Sequence, residues 1–296
     1  MTQNENKDVN GKKVFFVTQN QPLIKAIKSR LLTMEYEMYF INDYKVLKNL
    51  LSEFPDSICF ITPDYQLSHT GWKNLIRTLN ESPEFKGVKV GIVHATLKQN
   101  EIDQFKGGLV LEAGFESIDE EKEDVLKHIV RTLDKLDAKG MRQYVRANCE
   151  EDDSSEIYWL EGDKMHKLRI LDISSVGIAI ELPARNVAAL RDKNEIRNAK
   201  IILNSRQIPI SLDIKMIKPM KNSFIAIAMF KMDTGKAALD LIRTYVSDSL
   251  FRDIFNTILN RPIDRTDYDS MVFQAPPPPP PEPEAKAPPA AEDAEE

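Results

Sequence analysis

"MRQYVRANC", residues 141–149, marks the point where the chain changes period. Upstream, "EEKEDVLKHIVRTLDKLDAKG" (120–140) spaces Val125, Leu126, Ile129, Val130, Leu133 and Leu136 three and four apart. That is the stripe of an amphipathic helix over 121–138, with Gly140 where a glycine C-cap is expected. Downstream the apolar residues alternate. "RQYVRANC", "SEIYWLEG", "HKLRILDIS", "VGIAIELP", "AKIILN", "QIPISLDIKMI" and "SFIAIAMFKM" are strand-like segments broken by Asp, Ser, Asn and Pro. Short strands at this spacing predict a small antiparallel barrel or sandwich, closed by a helix in "TGKAALDLIRTYVSDSLFRDIFNTIL" (234–259).

The first half has a different rhythm. "KVFFVT" (13–18), "EMYFIN" (37–42), "SICFIT" (57–62) and "VKVGIV" (88–93) are short apolar runs. Between them lie "PLIKAIKSRLLTM", "YKVLKNLLSEF" and "WKNLIRTLN", whose apolar residues recur at helical spacing. Strand–helix alternation of this length predicts a parallel sheet covered on both faces. The chain of 296 residues thus divides into an α/β domain over 12–138, an all-β domain over 139–262 and a tail over 263–296. The unbroken run Pro276 to Pro281 and the acids around it cannot build a core, so the tail is expected to be extended and disordered.

Charge narrows the partners. The net charge is −6, but residues 274–296 carry six acids against Lys286, leaving about −1 for the rest of the chain. No basic excess points to DNA or RNA, so any anion must be caught by a local cluster. No apolar run approaches the roughly 20 residues of a membrane span, and the polar N-terminus has no signal-peptide core. Cys59 and Cys149 stand alone, and His69, His94, His128 and His166 are scattered without metal-ligand spacing. A cytoplasmic protein without cofactor or metal is the expectation.

Arg142 and Arg146 are four apart, close to one helical turn and also two strand periods, so they share a face in either geometry. Guanidinium groups fork toward phosphate and guanine edges and stack on bases. In "DISSVG" (172–177), Asp172 and Ser174 lie two apart at a strand end. The carboxylate can accept from guanine N–H groups and the hydroxyl can meet phosphate. Gly177 lets the chain turn or lets a ligand approach the backbone. Each feature alone has a bland reading: two arginines four apart usually mark a solvated face, and Asp-x-Ser-x-x-Gly usually marks a turn. Together, at the mouth of an all-β domain, they are far more specific.

"RQYVR" followed by "DISSVG" resembles the PilZ domain family, which binds the bacterial second messenger cyclic di-GMP. The resemblance covers roughly 140–260 and implies a six-stranded barrel with a C-terminal helix. It implies that Arg142 and Arg146 hold guanine and phosphate, with Asp172, Ser174 and Gly177 on the opposite lip. It further implies a binding protein, not an enzyme, acting through a protein partner that the sequence does not name, in processes such as motility, secretion or virulence. The first domain resembles a response-regulator receiver in order and length. Phosphoryl transfer in that family needs acids after the first strand, an aspartate ending the third and a lysine after the fifth. Here Thr18, Gln19 and Asn20 follow the first strand and Thr62 ends the third. Asp64 comes two residues late, and "GFESIDEE" offers no lysine. A receiver-like (flavodoxin-like) scaffold without phosphoryl chemistry is expected. Two alternatives stand beside the cyclic di-GMP effector: a phosphorylation-controlled regulator with a PilZ output, which would use Asp64, and a ligand-free PilZ adaptor.

Overall fold

Runs of four apolar residues, too short for helices and bounded by polar turns, form the sheet of the first domain. The computed structural model describes residues 11–95, 97–118, 122–152, 154–191 and 194–273. The first domain comprises β1 (Val14–Val17), α1 (Gln21–Thr33), β2 (Met38–Ile41), α2 (Leu47–Glu53), β3 (Ile58–Ile61), α3 (His69–Glu81), β4 (Lys89–His94), α4 (Gln99–Lys106), β5 (Phe115–Ser117) and α5 (Lys122–Lys135). The strands are parallel in the order β2-β1-β3-β4-β5, the doubly wound arrangement expected of a receiver-like domain. Alternate residues of β1 feed two layers. Phe15 and Val17 pack with Leu50 and Trp72 beneath α2 and α3, whereas Val14 and Phe16 pack with Ile27 and Ile129 beneath α1 and α5. Two covered faces explain why these strands read as continuous apolar runs. β5 and α4 carry a weaker signal: β5 is only half-buried and α4 buries Phe105 alone.

The second domain comprises β6 (Arg146–Asn148), β7 (Glu156–Glu161), β8 (Lys164–Ser174), β9 (Gly177–Leu182), α6 (Val187–Arg191), β10 (Glu195–Leu203), β11 (Arg206–Pro219), β12 (Phe224–Phe230) and α7 (Lys236–Ile258). The antiparallel order β8-β7-β10-β11-β12-β9 closes through β8–β9 pairing into a six-stranded barrel, and β6 adds to β8 outside the ring. Register shifts in β8, β10 and β11 mark bulges that bend long strands around the closure. Inward residues such as Ile157, Ile170, Ile180, Ile201 and Leu212 fill the barrel.

Two expectations about boundaries are corrected. Gly140 does not cap α5. Asp137, at φ 50°, takes the left-handed position instead, with Ala138 N–H donating to Leu133 O at 2.9 Å and Asp137 N–H to Asp134 O at 3.2 Å. The helix therefore ends at Lys135, before 138. The tail also begins later than 263. Tyr268 is fully buried in the first domain, its hydroxyl donating to Asp264 Oδ2 at 2.7 Å. The buried Asn74 amide donates to the carbonyls of both Tyr268 and Met271 at 2.8 Å, and Asp269 accepts from the Ser68 N–H and hydroxyl. Residues 263–273 are thus a strap across α2 and α3; the proline run and acidic end lie outside the described residues.

α7 belongs to both cores. Ala238, Ile242, Tyr245 and Val246 pack against the barrel, whereas Ile254 and Ile258 pack beneath the parallel sheet. The buried positions step by three and four as far as Ser249 and then skip to Ile254, so the buried face rotates along the helix. At roughly 1.5 Å per residue, its 23 residues span about 35 Å, enough to cross the boundary between domains.

Candidate functional site: a cationic cleft at the domain junction

The arginine pair lies in neither geometry that its spacing suggested. Arg146 opens β6, but Arg142 sits in the irregular segment before it. Both nevertheless line one cleft between the two domains. Lys139 and Gly140 form part of its wall from the connecting segment, and Lys13, Glu35 and Glu37 line it from the first domain. Both arginines are exposed, and Arg146 is held in place by its strand, since Ala147 and Cys149 are fully buried in the barrel.

β6 pairs with β8 so that Arg146 faces Ser174 and Asn148 faces Asp172. Arg146 reaches along the diagonal, its Nη1 standing 3.6 Å from Asp172 Oδ2. Burial raises the Asp172 carboxyl above the ordinary aspartate value, and the charges of Arg146 and then Arg142 only partly oppose this. The carboxylate therefore feels both guanidinium groups. A bulge between Ile170 and Asp172 sets its direction, which sequence spacing could not supply.

The other two motif residues turn inward. Ser174 is buried; its hydroxyl donates to Gly177 O and accepts from Val176 N–H, both at 3.3 Å, closing the β8–β9 turn. Gly177 pairs with Met229 of β12, where a Cβ would stand 2.3 Å from Ala228 O. It is the protein's own strand that comes close at Gly177. The structure thus brings Arg142 and Arg146 to the cleft, sets Asp172 beside Arg146, and uses Ser174 and Gly177 to shape the β8–β9 turn. Lys13, Glu35, Glu37 and Tyr144 are cleft residues that sequence reading did not find, because they come from the other domain or from a variable position between the two arginines.

A polar cluster ties α7 to the segment between β6 and β7. Tyr245 of α7 donates to Asp152 Oδ2 at 2.9 Å and lies 2.8 Å from Ser155 Oγ and 3.5 Å from Cys149 Sγ. Burial alone would raise the Asp152 carboxyl, but hydrogen bonds from Ser154, Ser155 and Tyr245 outweigh it and hold the pKa at about 2. Among the described residues, no group of three His, Cys, Asp or Glu could hold a metal ion.

No family model and no curated protein matches the sequence. Among solved structures, the chain is similar to the MrkH–c-di-GMP complex of K. pneumonia at 18% identity, covering 42% of this chain and 57% of that one, TM-score 0.33. It is similar to the PilZ domain with c-di-GMP of YcgR from Escherichia coli at 14% identity, covering 40% and 98%, TM-score 0.34. It is also similar to the Mn²⁺-bound response regulator Rcp1 at 12% identity, covering 41% and 91%, TM-score 0.34. The match reaches little more than half the length of MrkH. This chain joins a doubly wound domain with a five-stranded parallel sheet to a six-stranded antiparallel barrel.

At the C-terminal ends of β1 and β3, polar side chains of the first domain are taken up by local hydrogen bonds. Thr18 Oγ1 accepts from Asn20 N–H at 3.1 Å, Asn20 Oδ1 caps α1 by accepting from Leu23 N–H at 3.0 Å, and Gln19 donates to Asn42 O. Thr62 is buried at the end of β3. Asp64 accepts from Ala95 N–H at 3.2 Å, tying two loops together. The barrel domain, by contrast, keeps Arg142 and Arg146 exposed. Among the described residues, no helix is long and apolar enough to cross a membrane.

Proposed function

We propose that the protein is a cyclic di-GMP effector whose ligand is clasped at the junction of the receiver-like domain and the PilZ-like barrel. The observation that carries this is that Arg142 and Arg146 line one interdomain cleft, with Asp172 held beside Arg146 and within reach of both charges. Arg142 and Arg146 are always charged and fork toward phosphate oxygens and the O6/N7 edge of guanine. Asp172 accepts from the N–H groups on guanine's other edge. Ser174 and Gly177 hold the lip in shape. The protein binds and signals, without chemistry of its own, and passes the ligand's presence to a protein partner.

Signal transmission follows from the cleft's position. α7 is buried in both cores, so pulling the domains fully apart would expose Ile254 and Ile258. Ligand binding therefore re-poses the domains by a limited rotation about the junction and leaves each core intact. Titration calorimetry with cyclic di-GMP tests the function. Arg146→Ala removes a charge-assisted contact of about 1.5–3 kcal/mol, so affinity falls about tenfold to a hundredfold or more. Its pairing with Asp172 is half-exposed and long at 3.6 Å, so folding stability should change by about 1 kcal/mol or less. No binding by the wild-type protein would overturn the function; unchanged binding by the variant would overturn the site.

A further inference from the structure

Glu35 breaks a local rule. At the end of α1, Glu35 N–H donates to Leu32 O and Tyr36 N–H to Leu31 O, both at 3.3 Å, which places Glu35 at φ 62°. That is the left-handed cap position, which glycine or asparagine fills with less strain. The Glu35 side chain accounts for its presence there. Oε2 accepts from Val145 N–H at 3.3 Å, and Oε1 accepts from Arg243 Nε of α7 at 3.4 Å. Val145 lies inside "RQYVR", immediately before Arg146. A carboxylate of the receiver-like domain is therefore seated in the arginine segment of the barrel, on a backbone donor beside the cleft. A second observation points to the same place. Ser175, from the "DISSVG" lip, is buried with a hydroxyl that meets no partner among the described residues, and it lines a crevice with Glu35, Val145 and Arg243.

We propose that Glu35 is an internal anion that competes with the dinucleotide for the arginine segment, so that ligand entry and release of the receiver-like domain are one event. This rests on the cyclic di-GMP reading above. One N–H cannot serve two anions, and a phosphate brought beside a carboxylate that is only 12% exposed meets strong like-charge repulsion. The ligand brings two phosphates and finds Arg142, Arg146 and Lys139 on the cleft wall, Lys13 there being paired with Glu37, whereas Glu35 brings a single charge. Once displaced, Glu35 loses its hold on the barrel's backbone, and the first domain loses one of its ties to the binding segment. The coupling is reciprocal: whatever the latch contributes to the closed pose is subtracted from ligand affinity.

Two variants test this. Glu35→Gln keeps the shape and removes the charge; Glu35→Gly suits the left-handed backbone and removes the side chain, so neither should unfold the domain. In the ligand-free full-length protein, hydrogen exchange at the Val145 amide should accelerate in the order wild type, Gln, Gly. Cyclic di-GMP should bind about threefold to tenfold tighter to the variants, the factor corresponding to one ordinary net hydrogen bond. Unchanged Val145 exchange together with normal ligand binding overturns the latch and leaves the ligand reading standing. Weaker or unchanged binding by both variants overturns the competition. Faster exchange with no cyclic di-GMP binding by any form overturns the proposed function and the competition, and leaves Glu35 as a contact between domains alone.

Discussion

Gly177→Ala separates two meanings of the glycine in "DISSVG". If the glycine admits a ligand, the substitution should leave the free protein as stable as before and lower its affinity. The structure supports the other meaning. The new Cβ would lie 2.3 Å from Ala228 O and 3.1 Å from Met229 Cα, both backbone atoms of β12. An ordinary carbon–oxygen contact is about 3.3 Å or more, so the β9–β12 seam must part by roughly 1 Å. No side-chain rotation relieves this, because β12 is held on its other edge by β11. Overpacking of a tight site costs about 1–3 kcal/mol, and a backbone neighbour puts this substitution near about 3 kcal/mol. For a chain of this size, about 2–4 °C is lost per kcal/mol, so the melting temperature should fall by about 6–12 °C. Scanning calorimetry without ligand reads this directly. A melting temperature within about 1 °C of wild type, with affinity lost, would refute the reasoning and return Gly177 to the ligand.

Tyr268→Ala, deep in the strap, should cost about 3–5 kcal/mol in denaturant unfolding, as a fully buried aromatic does; a loss below about 1 kcal/mol would show that the strap is not part of the first core. Asp152, with a pKa near 2, lies below its ordinary value, so its hydrogen bonds contribute stability above about pH 4 that is lost as pH falls toward 2. Discounted for solvent screening the contribution is about 1 kcal/mol, so Asp152→Asn should flatten the acid limb between pH 4 and 2, and an unaltered acid profile would contradict the assignment. Acetyl phosphate with magnesium should leave the protein unmodified, because Thr18, Gln19, Asn20 and Thr62 stand at the receiver's chemical positions; a phosphoaspartate at Asp64 in mass spectra would reverse that conclusion.

Local pattern settled much of this protein. Buried β1 and β3 were legible because both faces of a parallel sheet demand apolar residues, and the barrel strands because one inward face leaves an alternation. The pair "RQYVR" and "DISSVG" was legible as a motif without any geometry, and so was the absence of carboxylates at Thr18, Gln19, Asn20 and Thr62, since residue identity is visible in the chain itself. Tertiary structure decided the rest. Ser174 and Gly177 belong to the motif, yet one closes a turn and the other yields to a neighbouring strand, because β12 lies about fifty residues away and only barrel closure brings it near. The division of α7 between two cores was invisible because each half follows its own stripe and the two average out over the whole helix. Tyr268 reads as tail, since no period surrounds it; its burial depends on the groove beside Asn74. Glu35 is an ordinary acidic residue in the sequence. Only the backbone conformation at the end of α1, and a partner 110 residues distant, give it a role. Periodicity reports what a segment does with its own neighbours, whereas a site made from two domains depends on distances that no local pattern encodes.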